Sequence, residues 1–143
     1  MDNLNIVKNI TEEITGKKIQ KSDNEFYQSV DTINYGHWTD LLHELCHWIV
    51  ADNIQRKKDN LGMPSVNSKY SDDFKIIQQE VLASQLTYKF GMYLTNESKE
   101  VDYLKYIKDK DKEKENKTYQ VYLTIRKIKL IKKVEKLFKK HGK

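Results

Sequence analysis

Leu4, Val7, Ile10 and Ile14 recur at three- and four-residue spacing behind Asp2 and Asn3, and Gly16 stops the pattern, which predicts a short amphipathic helix over residues 2–15. Lys17 to Asn24 is polar and reads as a connection. Between Glu25 and Tyr35, Phe26, Val30, Ile33 and Tyr35 mix with Ser29, Asp31 and Thr32, a pattern suited to one or two short strands. Gly36 and His37 then turn the chain into an apolar run, Trp38 to Ala51, that contains no Gly or Pro. Residues 52–70 are loop-rich, with their strongest turn signal at 60–64. Ser71, Asp72 and Asp73 are the start signal of a second long helix reaching about Leu94, because a hydroxyl and two carboxylates suit the amide end of a helix.

Beyond it, Val101, Leu104 and Ile107 form a short apolar stripe, and residues 108–117 have no apolar side chain, as expected of a solvated helix or a linker. Val121, Ile125, Ile128, Ile131, Val134 and Phe138 then return every three or four residues, with lysines on the other face. This predicts a basic amphipathic C-terminal helix. Its Ile128, Ile131 and Val134 should pack on the body or on an identical neighbour, leaving Lys127, Lys129, Lys132, Lys133 and Lys136 in solvent. The elements together predict an α+β chain, mainly helical, organised as a body over 1–107, a charged stretch over 108–117 and a basic helix over 118–143.

The candidate chemistry lies in the central run, where His43-Glu44-Leu45-Cys46-His47 spells HExxH. Side chains four apart on a helix lie one above the other, so His43 and His47 can present two imidazoles to one metal ion. Glu44, one position round from His43, is poorly placed as a ligand but well placed to touch a water on that metal. A catalytic zinc takes three protein ligands and keeps a position for water, whose proton a nearby carboxylate can accept. Glu80 is the candidate third ligand. It shares a helix face with Ile76, Ile77, Ala83, Ser84 and Thr87, where a carboxylate is costly unless it is paired, metal-bound or solvated at the edge of the stripe. Two imidazoles and one carboxylate suit zinc better than other divalent ions.

HExxH followed some tens of residues later by a helix bearing Glu80-x-x-Ala83 resembles the gluzincin-type zinc metallopeptidases, most of all their small ImmA/IrrE-like branch common in phages and mobile elements. The resemblance covers about residues 35–94. It implies a zincin-like two-helix metal site, a small sheet whose edge strand lines a substrate groove, His43, His47 and Glu80 as zinc ligands, and Glu44 as general base.

Other residues have open roles. His37 is either a surface or turn histidine or a group that polarises a substrate carbonyl, and Tyr70 is either a packed aromatic or an oxyanion donor. Cys46, the single cysteine, excludes an internal disulfide and reads as a small buried filler pointing away from the histidine pair.

Of the 143 residues, 38% are hydrophobic and the mean hydropathy is −0.81, so the core must be small and concentrated in the segments above. No run of about 18 apolar residues exists and the first residues do not read as a signal peptide, which points to an intracellular protein or one carried in a virion. The net charge of +5 is unevenly spread. Residues 126–143 hold nine basic groups against Glu135, which leaves 17 of the 26 basic and 20 of the 21 acidic residues in the remainder, a net −3. Two functions therefore stand beside each other. One is a peptidase acting on a protein or peptide. The other is a non-catalytic zinc-fold protein of binding, virion or regulatory type, with its basic helix turned to an acidic partner or nucleic acid.

Overall fold

The computed structural model describes residues 2–22, 29, 31–58 and 74–141. In chain order these form α1 (Asn3–Thr15), β1 (Lys18–Lys21), β2 (Thr32–Tyr35), α2 (Trp38–Val50), α3 (Phe74–Gly91), α4 (Ser98–Asp109) and α5 (Lys117–His141), with single 3-10 turns at Gln55–Lys57 and Lys112–Lys114. The fold is mainly helical with one two-stranded sheet. Phe26, Val30, the turn at 60–64, Tyr70 and the helix start at 71–73 lie outside the described residues.

α1 begins where Asp2 accepts the Asn5 amide and ends at Gly16, whose φ of 70° lets the chain leave the helix in the left-handed region closed to most side chains. The stretch read as a polar connection contains β1, paired in parallel with β2 so that Lys18 faces Thr32 and Lys21 faces Tyr35. Its sequence concealed it because the apolar side chain on this strand, Ile19, is only half-buried; the strand exists through its backbone pairing. β2 carries the buried side chains, Ile33 and Tyr35, into the core beside α2.

α2 and α3 are the centre of the molecule. Leu41, Leu42, Leu45, Cys46 and Ile49 of α2 are fully buried, as are Ala83 and Phe90 of α3. α2 is anchored at both ends. At its start the Thr39 amide donates to His37 Nδ1 (3.3 Å) and the His37 amide donates to Asp40 Oδ2 (3.1 Å), a reciprocal cap in which a histidine replaces the usual hydroxyl residue. At its end Arg56 donates to the carbonyls of Trp48 and Ile49 (2.9 and 3.2 Å) and Lys127 donates to that of Ala51 (2.6 Å). Two cations thus meet the negative end of the helix dipole. Trp48 is half-buried, with the Arg56 guanidinium stacked 3.7 Å above its ring.

α4 packs closely on the end of α3 because Gly91 has no side chain: a Cβ there would meet Leu104 at 2.6 Å. Trp38 Nε1 ties α2 to α4 by donating to Glu100 (2.6 Å). The charged stretch after α4 is held by one buried amide, since Gln78 donates to the Lys114 carbonyl (2.8 Å) and accepts from the Asn116 amide (2.9 Å) and the Gln120 side chain (2.8 Å).

α5 lies on α1, α2 and α3, and the hydrophobic cluster includes its Leu123, Ile131, Val134 and Phe138. Ile131 and Val134 pack inward as expected. The first half of the seam is rotated from the expected one: Val121 and Ile125 are 60% and 66% exposed, while Gln120, Leu123 and Lys127 face inward. Gln120 sets the rotation at this end of the helix by donating to both Gln78 oxygens, which turns Leu123 inward. Lys127, expected in solvent, is instead drawn to the end of α2 by an unpaired carbonyl. Phe138 is fully buried and stacked on Phe90 with ring centroids 5.3 Å apart. Phe138→Ala should destabilise the fold by about 3–5 kcal/mol in urea unfolding. A fall below about 1 kcal/mol would mean that α5 is only loosely docked.

Candidate metal centre

The i, i+4 spacing on α2 places His43 and His47 over the crossing with α3, and Glu80 reaches them from there. His43 Nε2 and His47 Nε2 are 3.1 Å apart. Glu80 Oε1 lies 3.4 Å from the first and Oε2 lies 2.9 Å from the second. The side chains are 16%, 16% and 10% exposed, so three ligand atoms converge in a nearly dry place. The group could hold a metal ion. Glu80, expected to be costly on an inward face, is paired on every side: Ser84 Oγ (3.4 Å) and the Lys110 ammonium (3.1 Å) also reach Oε1.

The polar contacts set which nitrogen of His43 carries the proton. Thr87 Oγ1 donates to the Ala83 carbonyl one turn earlier (2.8 Å), so its hydroxyl proton is committed. The 2.9 Å contact to His43 Nδ1 must then be a donation from the ring. That assignment leaves the lone pair of His43 on Nε2, directed at His47 and Glu80. Burial pushes the His43 pKa down, and the neighbouring His47 adds to it, which keeps His43 neutral. Burial also opposes charge on His47, but the Glu80 carboxylate outweighs it and raises the His47 pKa. Burial alone would raise the Glu80 pKa; the two histidines reverse this and hold the carboxyl well below its usual range. The shifts work toward a neutral His43, a charged His47 and an ionised Glu80. A metal ion needs both imidazoles neutral, so metal uptake weakens as pH falls.

Thr87 was visible in the sequence only as a small residue on the Glu80 face; its role in orienting His43 needed the packing of α2 on α3. Thr87→Val, which preserves shape and removes the acceptor, should lower metal affinity about 10–100-fold in competition with a chromogenic chelator. An unchanged affinity would show that the His43 ring is oriented by packing alone.

Glu44 is half-buried and is not one of the three convergent groups. Its charge acts on His47 and on Lys17, raising the pKa of each. Lys17, 5% exposed, donates to the Ser29 carbonyl (2.7 Å); burial outweighs Glu44 and brings its pKa down to about 8. Nothing in the sequence singled Lys17 out, since it stands in a polar run and is buried only through the turn after α1.

His37 caps α2, and its Nε2 lies 3.8 Å from Glu100, apart from the trio. It borders a surface hollow of about 420 Å³ with Asp40, Glu97 and Tyr103. Cys46 is fully buried, and burial pushes its thiol up to about 12, which makes it an inert filler.

No family model, curated protein or solved structure matches the chain. The chemistry of the centre therefore rests on its own geometry. Among the described residues, no helix is long and apolar enough to cross a membrane.

Proposed function

We propose that the chain is a zinc-dependent peptidase with a zincin-like centre, in which His43, His47 and Glu80 hold the ion and Glu44 is the general base. The observation that carries this reading is the convergence of two imidazole nitrogens 3.1 Å apart on one carboxylate, whose Oε1 lies 3.4 Å from His43 and whose Oε2 lies 2.9 Å from His47. Ligands about 2.0–2.1 Å from a tetrahedral zinc ion stand roughly 3.3 Å apart, and each of these contacts is near that separation. The donor set agrees with it. Two imidazoles and a carboxylate leave one position open, the arrangement of catalytic rather than structural zinc, and His37, a histidine that could otherwise close the site, is occupied as a helix cap.

Zinc bound there supplies Lewis acidity, acidifying water and polarising a carbonyl. The protein supplies the remainder. Thr87 holds the His43 ring with its lone pair toward the site, Arg56 and Lys127 hold the end of α2, and Glu44 accepts the proton of the attacking water and passes it to the departing amine. Incubation of the zinc-loaded protein with a mixed peptide library, read by mass spectrometry, tests this. New termini that vanish with a chelator and return with zinc are expected. A zinc-loaded protein that cleaves no peptide would sink the peptidase reading and leave a metal-binding protein.

A further inference from the structure

Lys110 is the one cation, among the described residues, that is ion-paired to the trio, and neither its position in a charged run nor its distance from HExxH marks it out. It stands at the end of α4, where the following turn is tied to α3 through Gln78, and its Nζ lies 3.1 Å from Glu80 Oε1. That oxygen is also the one 3.4 Å from His43 Nε2. An ammonium has three donors. One is directed to Glu80, and a side chain 33% exposed leaves the others an open side.

We propose that Lys110 is the cationic donor that receives the negative oxygen developing on a substrate carbonyl at this centre; the proposal rests on the metal reading above. An ammonium next to a carboxylate that also holds a divalent cation is repelled by that cation. The repulsion is relieved when a negative oxygen arrives between them, so the contact is worth more in the transition state than with bound substrate, which is the requirement for raising kcat. A lysine stem suits the task, since it carries a compact charge on a flexible chain that can turn from Glu80 to an incoming oxygen without moving α4.

Inorganic phosphate, a tetrahedral anion, is the probe, and the cobalt-substituted full chain makes its arrival visible in the absorption spectrum. Lys110→Met should take up cobalt at least as tightly as wild type and bind phosphate about 10–100-fold more weakly, the share of a hydrogen bond to a charged group. Lys110→Arg should recover most of the loss. For any peptide the wild type cleaves, Lys110→Met should lower kcat by about 10²–10³-fold and leave KM nearly unchanged. Unchanged phosphate affinity in the cobalt-loaded Met variant would overturn the proposal alone. So would a loss of cobalt affinity in that variant, which would make Lys110 a support for Glu80. Failure of the wild-type chain to take up cobalt would overturn the metal reading and the proposal together.

Discussion

His47→Ala should abolish zinc uptake under conditions where the wild-type chain holds about one equivalent, the content of a three-ligand site with one open position. The loss should exceed the 10–100-fold typical of residues that merely orient a ligand, because His47 supplies one of the three atoms and lies against both others, 3.1 Å from His43 and 2.9 Å from Glu80. Its absence also leaves a carboxylate, 10% exposed, with a neutral imidazole and Lys110 as its remaining ring and cation partners. Melting read with and without the ion separates binding from folding. Free zinc at about 1,000 times its Kd stabilises a fold by about 4 kcal/mol, which is roughly 8–16 °C for a domain near this size. The wild type should show that rise and His47→Ala should not. An equal rise in both would place the ion elsewhere on the chain.

Glu44→Gln should separate chemistry from metal binding. Glutamine keeps the size of the side chain and removes its basicity, and Glu44 is outside the group of convergent ligand atoms, so zinc content should remain near one equivalent. Hydrolysis of any peptide that the wild type cleaves should fall by about 10²–10⁴-fold, the usual share of general acid–base catalysis. Because Glu44 raises the pKa of both His47 and Lys17, its neutralisation should leave those two cations slightly easier to deprotonate and should not loosen the metal. Loss of zinc together with activity would make Glu44 a structural group and remove the base from the proposed chemistry.

These expectations draw on two kinds of information. The sequence by itself determined the periodic elements and the histidine pair. HExxH on an uninterrupted apolar run sets two imidazoles on one helical face through backbone geometry alone, and Glu80 stood out because a carboxylate on an apolar face needs a partner. α1 was legible to its last residue, since Asp2 and Gly16 act locally on the helix between them. What depends on distant partners was not legible. β1 is made by hydrogen bonds to β2 and has no alternating pattern of its own. The face at the start of α5 was chosen by Gln120 reaching Gln78 and by Lys127 reaching Ala51, 42 and 76 residues away in sequence, where the period alone pointed to Val121 and Ile125. Lys17, Thr87 and Lys110 belong to the same class. Each is an ordinary residue in its own segment; packing around α2 brings the polar atoms of Thr87 and Lys110 to the centre and sets Lys17 where the Glu44 charge acts on it, because a long-range contact leaves no periodic mark in the chain.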